Sequence, residues 1–209
     1  MTNEPAMPAA QQEDAVSVTR HRLMWPSVAA GIWALWYAAY RGYYAAGGTA
    51  FLPGTIRPGA EGRFQLINLL GAVIIAAAAV VPIATLPLWS RRWPRRMLLA
   101  VYWIAAVGCC MHALVDIAQR VLSLTGAVHI DYPPLWSTID RRSADLQAIF
   151  FNEPWFLVQG LAFGTLCWIG LGPGRARQWW AATAVAAVVA LFLLGMLTVA
   201  GILDKVIVF

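Results

Sequence analysis

The sequence predicts an all-α polytopic membrane protein, a single bundle of about five transmembrane helices. The chain has 209 residues, of which 60% are hydrophobic and only 12% are charged. Soluble domains carry about 25% charged residues. The apolar residues are gathered in runs of about 20, the length that an α-helix needs to cross a bilayer. One bundle accounts for residues 20–209, so we expect a single domain.

Five apolar segments follow a polar N-terminal stretch. Residues 1–19 are rich in Ala, Pro and Gln and lack apolar periodicity, which predicts a disordered cytoplasmic tail. Pro82 and Pro87 lie near the end of the second segment, where each removes a backbone donor and favours a kink. The expected transmembrane segments run approximately over Trp25–Gly47, Phe64–Trp89, Met97–Leu124, Pro154–Leu171 and Trp179–Leu203.

Two loops lie at the expected outer side. The loop Gly47–Arg63 is rich in Gly and Pro, and the longer loop at residues 125–152 contains a stretch, Asp140–Phe151, that fits a short helix. Its apolar residues fall roughly on one side: Ile139, Leu146, Ile149 and Phe150. Such a helix either lies on the outer membrane face or caps the bundle. An ordinary solvated loop helix fits the pattern equally well.

Arginine placement predicts the orientation. With five spans, one side receives Arg20, Arg22, Arg91, Arg92, Arg95, Arg96, Arg175 and Arg177. Cytoplasmic loops carry an excess of basic residues, so we expect a cytoplasmic N-terminus and an extracytoplasmic C-terminus. The abundance of Arg over Lys and of Ala, Gly, Pro and Trp, residues with GC-rich codons, points to a bacterium and hence to the bacterial cytoplasmic membrane.

Arg41 lies inside the first apolar segment and Asp116 inside the third. Charged residues are costly in hydrocarbon and usually face the bundle interior, where they pair. At about 1.5 Å per residue, both lie in the outer half of the membrane, with His112 at a similar depth. We therefore expect Arg41 and Asp116 to form an ion pair, either as a structural link between helices or as part of a pocket that opens outward.

Other polar residues of the spans concentrate at the same end, and the inner half has almost none. Helical spacing places three tyrosines on the face that carries Arg41. Side chains from the second, third and fourth segments reach a similar level. The residues expected to bind a ligand are Arg41, Tyr37, Tyr40, Tyr44, Asn68, Gln119 and Gln159.

His112 and Asp116, one helical turn apart, are candidates for acid–base chemistry. A carboxylate orients an imidazole and stabilises its charged form. If the protein is an enzyme, we expect His112, Asp116 and Glu153 to be the catalytic residues. A hydrogen-bonded interior histidine without a catalytic role also fits the sequence.

Cys109 lies one turn before His112, and Cys, His and Asp are all zinc ligands. One helix supplies only part of a metal site, however, and no second histidine lies within the apolar segments. The sequence therefore predicts no metal and no cofactor. Cys109, Cys110 and Cys167 are expected to pack as small apolar side chains.

Gly160 and Gly164 form a small-xxx-small pair in the fourth segment, a pattern that lets helices pack closely. The packing partner is a helix of the same chain or of another subunit. We expect membrane lipid as a partner, together with a protein or homo-oligomer contact through these glycines. Nucleic acid is excluded, because the basic residues flank apolar segments instead of forming one patch.

Two stretches carry a resemblance to known families. Residues 43–48 (YYAAGG) and 151–156 (FNEPWF) resemble a family of small bacterial multi-pass membrane proteins of unknown function, whose first span ends in a W-A-L-G-G-like stretch. The resemblance implies a multi-pass fold and no activity. His112 and Asp116 are also similar in spacing to the His and acid of the emopamil-binding, sterol-isomerase-like family, with Glu153 in the place of a later acid. Here the first acid is Asp, whereas that family has Glu.

The sequence favours two functions. The first is an uncharacterised membrane protein whose outward-facing polar pocket binds a lipid or small amphiphile, or supports a partner protein. The second is a membrane enzyme that acts on a lipid or isoprenoid by acid–base chemistry, as isomerases and cyclases do. A transporter fits less well, because the chain lacks the internal repeat of repeat-built carriers.

Overall fold

Long apolar runs become helices, and the Gly- and Pro-rich connections become turns and two short strands. The computed structural model describes residues 9–132 and 134–202, and within them the side chains of residues 21–91, 93–132 and 134–202. The helices are α1 (Ala9–Ala45), α2 (Glu61–Ala84), α3 (Arg92–Leu124), α4 (Arg141–Gln147), α5 (Glu153–Leu171) and α6 (Arg175–Val199). The strands are β1 (Gly54–Ile56) and β2 (Trp136–Ile139).

Four of the helical stretches are long and apolar enough to cross a membrane. They are Glu61–Ala84, Trp93–Leu124, Arg141–Leu171 and Arg175–Val199. The chain thus has the character of a multi-pass membrane protein with an essentially all-helical fold. α1 is not among the four, because its aromatic and polar residues dilute its hydropathy, so the fifth span stays a prediction.

Several helix boundaries differ from those expected. α1 begins at Ala9, so residues 9–19 are helical and the expected disorder is not found there; residues 1–8 lie outside the described part of the chain. α2 ends at Ala84, two residues after Pro82, and a 3₁₀ helix at Leu86–Ser90 with Pro87 near its start replaces the predicted last turn. A proline inside a helix removes a backbone hydrogen bond, which accounts for this early end.

The helices pack in the order α2, α1, α5, α3 and α6. α1 packs mainly against α2 and also against α5, whereas α3 packs against α5 and α6. α5 therefore separates α1 from α3. The face that α1 turns inward repeats with heptad spacing and consists of buried Leu23, Ser27, Ala30, Ala34, Tyr37 and Tyr44. Such a stripe is what a helix needs in order to bury one side against its neighbours.

The two strands tie together the loops at one end of the bundle. β1 pairs with β2 in an antiparallel sheet, with Gly54 opposite Ile139 and Thr55 opposite Thr138. We call this end the sheet end. The opposite end, where α2 meets α3 and α5 meets α6, carries Arg91, Arg95, Arg96, Arg175 and Arg177, and we call it the arginine end. Neither strand was expected, because three- and four-residue strands leave almost no periodicity to detect.

The predicted helix in the long loop exists, and the side that it buries is not its apolar side. α4 continues through a π-helical turn at Ala148–Asn152 directly into α5. The buried residues of α4 are Ala144 and Asp145, whereas Leu146 and Phe150 are exposed. The reason is that Asp145 finds hydrogen-bonding partners inside the bundle, and this outweighs burial of the apolar side.

Candidate functional site

Arg41 is held at the sheet end by neutral side chains. Its Nη1 donates to Oδ1 of Asn68 on α2 at 3.0 Å, and its Nη2 donates to the Tyr37 hydroxyl at 3.3 Å. The Tyr37 hydroxyl in turn donates to Oδ1 of Asn152 at 3.1 Å. Arg41 Nε is buried and has no hydrogen-bond partner among the described residues. The guanidinium thus joins three helical segments but is not neutralised by any of these contacts.

The expected ion pair between Arg41 and Asp116 is wrong. Among the described residues, the salt bridge of Asp116 is with Arg120, whose Nε lies 3.1 Å from Asp116 Oδ2. Arg120 is one turn further along the same helix, so this pair forms without any approach of α1 to α3. α5 stands between those two helices, which explains why Arg41 turns to α2 instead.

Arg120 also links α3 to α4. Its Nη1 lies 3.2 Å from Oδ1 of Asp145, a carboxylate that is only 2% exposed. Ser123 Oγ donates to Asp145 Oδ2 at 2.7 Å, and the Tyr132 hydroxyl donates to Asp145 Oδ1 at 2.8 Å. Both oxygens of this buried carboxylate are therefore satisfied. Burial, reinforced by the hydrogen bond to Asp145, raises the pKa of Tyr132 to about 12.

His112, Glu153 and Asp116 form a second cluster between α3 and α5. His112 Nε2 lies 3.5 Å from Glu153 Oε2. Asp116 lies within hydrogen-bonding reach of Glu153, and both carboxyl groups are less than a tenth exposed. Glu153 Oε2 is buried and has no hydrogen-bond partner among the described residues, and His112 Nε2 approaches it at 3.5 Å. The sequence correctly grouped these three residues, and their catalytic role stays a prediction.

A cavity of about 180 Å³ opens at the sheet end, between the two clusters. It has room for several water molecules or one small charged group. Two arginines line it, Arg41 and Arg120, and none of its lining residues is acidic. The remaining lining residues are Tyr40, Tyr44, Leu52, Pro53, Phe64, Asn68, Tyr132, Trp136, Ile139, Ala144, Gln147, Ala148 and Asn152.

The expected ligand-binding residues divide into those at the cavity and those away from it. Arg41, Tyr40, Tyr44 and Asn68 line it, and Tyr37 lies directly behind Arg41. Two others do not line it: Gln119 is half-buried on α3, and Gln159 is fully buried on α5.

Sequence reasoning missed Arg120, Asp145, Tyr132 and Gln147 as parts of the site. Arg120 lies near the end of the predicted third segment, and its spacing of four residues from Asp116 is a recognisable helical ion-pair pattern. Gln147 donates to the Tyr40 hydroxyl at 2.9 Å and to the Phe51 carbonyl at 3.2 Å. No local pattern predicts Asp145 or Gln147, because their role depends on how α4 joins α5.

The remaining candidates have packing roles in this chain. A Cβ on Gly160 would lie 2.7 Å from Cys110 Sγ, so α5 packs closely against α3 at Gly160. Gly164 faces the Trp180 ring of α6 at ordinary contact distance. Association of two copies through these glycines stays a prediction. Within the described residues, no group of three or more His, Cys, Asp or Glu is arranged to hold a metal ion.

Comparisons with known proteins give no match: no family model matches the chain, no curated protein is significantly similar to it, and no solved structure matches its fold. The two family resemblances seen in the sequence therefore stay predictions.

Proposed function

We propose that the protein binds the anionic headgroup of a lipid or small amphiphile in the cavity at the sheet end, with Arg41 as the main anchor. The observation that carries the proposal is that the hydrogen-bond partners of the Arg41 guanidinium are uncharged. Its partners Asn68 and Tyr37 are neutral, and its buried Nε has no partner among the described residues. A guanidinium at membrane depth is costly without a counter-charge, and its planar donors match carboxylate and phosphate groups.

The charge distribution around the cavity supports an anionic ligand. Arg120 is already neutralised by Asp116 and Asp145. Arg41 is the other arginine at the cavity wall, and no acidic side chain lines the cavity; Glu153, which also faces Arg41, lies outside the lining. The Asn68 amide and the Tyr44 hydroxyl at the cavity wall are neutral, and Tyr44 already donates its hydroxyl proton within the protein. The site is thus complementary to one negative charge, with apolar residues such as Phe64 beside it.

The test compares lipid retention by matched arginine variants. The protein is purified in detergent, incubated with phosphatidylglycerol or phosphatidylcholine, and analysed by native mass spectrometry. Arg41→Gln should weaken phosphatidylglycerol retention about tenfold or more, since a hydrogen bond to a charged group contributes about 1.5–3 kcal/mol. Arg63→Gln, the same change at an exposed arginine of the same end, is the control. Equal retention by both variants would contradict the proposal.

We also propose that α1 is a fifth span in a bacterial cytoplasmic membrane, with the arginine end in the cytoplasm. The packing of α1 on α2 and α5 supports this, because the inward stripe from Leu23 to Tyr44 is long enough to cross the hydrocarbon core. The arginines of the opposite end support the orientation.

Cysteine labelling tests this topology. Glu61→Cys lies at the sheet end and Ala176→Cys at the arginine end, and both positions are exposed. In intact cells, a membrane-impermeant thiol reagent should label Glu61→Cys and leave Ala176→Cys unlabelled until the cells are lysed. Labelling of Ala176→Cys alone would reverse the orientation.

A second candidate function is acid–base catalysis on a lipid or isoprenoid. It is favoured by the approach of His112 to Glu153 at 3.5 Å, with Asp116 beside them. An imidazole between two carboxyl groups is suited to moving a proton to and from a carbon centre. His112→Ala should abolish turnover of an isoprenoid substrate and leave the fold unchanged. Full turnover by the His112→Ala variant would exclude acid–base catalysis by His112.

A further inference from the structure

Gln159 on α5 is a polar side chain sealed inside the bundle. It is 1% exposed, and both its amide oxygen and its amide nitrogen lack hydrogen-bond partners among the described residues. Buried polar groups are almost always hydrogen-bonded, to protein or to ordered water. A glutamine in this position therefore requires partners that the surrounding side chains do not provide.

Four further buried side-chain atoms share this condition, including one on the inward stripe of α1 and one at the start of α5. Ser27 Oγ lies on the inward stripe of α1, and Glu153 Oε2 lies at the sheet end of α5. Ser27 is 1% exposed and Glu153 is 5% exposed. Ser27 and Glu153 thus belong to two neighbouring helices, α1 and α5, whereas the other two atoms are Arg41 Nε at the cavity and Trp180 Nε1 on α6.

Aromatic contacts fix the depth of Gln159. Trp155, one turn towards the sheet end, stacks on Tyr37 with ring centroids 4.3 Å apart. Phe163, one turn towards the arginine end, stacks on Tyr102 at 5.6 Å. The Tyr102 hydroxyl forms a hydrogen bond of 2.9 Å with the Thr85 hydroxyl near the arginine end. Gln159 therefore lies midway between the polar cluster of the sheet end and the Tyr102–Thr85 pair.

Ser27 lies on α1 about one turn nearer the arginine end than Gln159, because Trp155 is level with Trp33 and Tyr37 and the two helices run in opposite directions. It is one turn from Leu23, which belongs to the same buried cluster as Tyr102 and Phe163. Consecutive polar groups are thus separated by about one or two helical turns of 5.4 Å each. Hydrogen-bonded water molecules can bridge such a gap.

We infer that Gln159 and Ser27 hold water molecules in a continuous hydrogen-bonded path along the interior of the bundle, through which protons pass between the Glu153–His112 cluster and the Tyr102–Thr85 pair. Each hydroxyl or water on the path accepts a proton from one side and releases one to the other, so no group changes its charge overall. Gln159 is a positioning residue in this path, because its amide orients water and does not itself titrate.

The titratable and charged groups facing Glu153 come from two helices. α3 contributes His112, Asp116 and Arg120, and α1 contributes Tyr37 and Arg41. His112 and the carboxyl groups are the sites at which a proton enters or leaves the path at the sheet end. The path is independent of the proposed ligand, because Gln159 and Ser27 do not line the cavity.

The experiment measures proton flux through the full-length protein in liposomes. A pH-sensitive dye is enclosed, and a potassium gradient with valinomycin provides the driving force. The wild-type protein should acidify or alkalinise the lumen faster than protein-free liposomes.

Gln159→Leu should lower the initial rate about tenfold or more. Gln159→Glu, which keeps a hydrogen-bonding end, should retain most of the flux. Thr165→Val, which removes a hydroxyl on the exposed side of α5, is the matched control and should leave the rate unchanged.

The inference is overturned by wild-type protein that shows no flux above protein-free liposomes, or by a Gln159→Leu variant that conducts at the wild-type rate. Where Gln159→Leu does not fold, Ser27→Ala and Glu153→Gln take its place, and unchanged flux in both overturns the inference equally. A merely structural role for Gln159 would alter the thermal stability of Gln159→Leu while its flux stayed at the wild-type rate.

Discussion

Trp33 and Trp155 exchange hydrogen bonds across the contact between α1 and α5. Trp33 Nε1 donates to the Trp155 carbonyl at 3.1 Å, and Trp155 Nε1 donates to the Trp33 carbonyl at 3.0 Å. Buried indoles normally find a partner for the N–H group, and here each residue supplies the partner of the other. The reciprocal pair holds the two helices in register directly beneath Arg41 and Asn152.

Trp155→Phe should destabilise the protein by about 1–2 kcal/mol, because it removes one of the two hydrogen bonds and part of a buried ring. Trp155 is 4% exposed and stacks on Tyr37, so phenylalanine leaves some of the aromatic contact in place. Thermal unfolding in detergent measures the change. Trp179→Phe, at a position that is 70% exposed, should have almost no effect. Equal losses in both variants would contradict this account of the pair.

Asp145→Asn should destabilise the protein by about 3 kcal/mol or more. Removal of one partner from a buried ion pair is strongly destabilising, and Asp145→Asn would leave Arg120 with Asp116 as its remaining acidic partner among the described residues. Asp131→Asn is the control, because that carboxylate is 85% exposed in its contact with His129. The free energies of unfolding of the two variants, measured in the same detergent, should differ by most of the predicted amount. A mild effect at Asp145 would mean that Arg120 is neutralised by Asp116 alone.

The pairing of Asp116 with Arg120 can be separated from a pairing with Arg41 by two double-mutant cycles. Arg41→Gln combined with Asp116→Asn should give a coupling energy below about 0.5 kcal/mol, the usual value for sites without a shared contact. Arg120→Gln combined with Asp116→Asn should give more than about 1 kcal/mol, since the two groups form a close ion pair. The opposite ranking would restore the pairing that the sequence suggested.

Gly160→Ala should destabilise the protein by about 1–3 kcal/mol, the usual cost of overpacking. The new Cβ would lie 2.7 Å from Cys110 Sγ and 3.0 Å from the Ala106 carbonyl oxygen. Gly164→Ala should be neutral or slightly stabilising, because its Cβ meets only the Trp180 ring at 3.7 Å and alanine favours the helix. Chemical denaturation of both variants gives the comparison. Equal tolerance at the two positions would show that α5 moves freely against α3.

Tyr132 should titrate near pH 12, well above the ordinary tyrosine value of 10.0. A folded-state pKa above the unfolded value means that the contribution of Tyr132 to stability is complete below pH 10 and is lost as the pH rises towards 12. Tyrosinate absorbance of the wild-type protein minus that of Tyr132→Phe isolates this residue. A difference curve with its midpoint at pH 10 would contradict the contact between Tyr132 and Asp145.

The helical character of the chain was predictable because hydrophobic runs of membrane length dominate its composition. The spacing of Tyr37 and Arg41 correctly placed both on the inward face of α1. The neighbours of Asp116 were harder to predict, because a sequence shows which residues are charged and not which helices touch. α5 separates α1 from α3, and this order of packing decided the partner of Arg41.

The sheet and the junction of α4 with α5 could not be predicted from the sequence for another reason. β1 and β2 are held by pairing between distant loops and by the Thr55–Thr138 side-chain contact of 2.7 Å. Periodicity detects neither three-residue strands nor a π-helical turn. The sequence placed Asp145 on a short helix of the outer loop but predicted no partner for it, since the turn that directs it inward has no sequence signature.

The π-helical turn at Ala148–Asn152 fixes the angle between Asp145 and Glu153. A residue of an α-helix rotates the chain by about 100°, and a π-helical turn contains one residue more than an α-helical turn. Deletion of one residue there would swing Asp145 away from Arg120 while α5 stayed in place. Substitutions in this stretch should therefore be tolerated better than a change in its length. A chain shortened by one residue would fold with Asp145 and Glu153 pointing in a different relative direction.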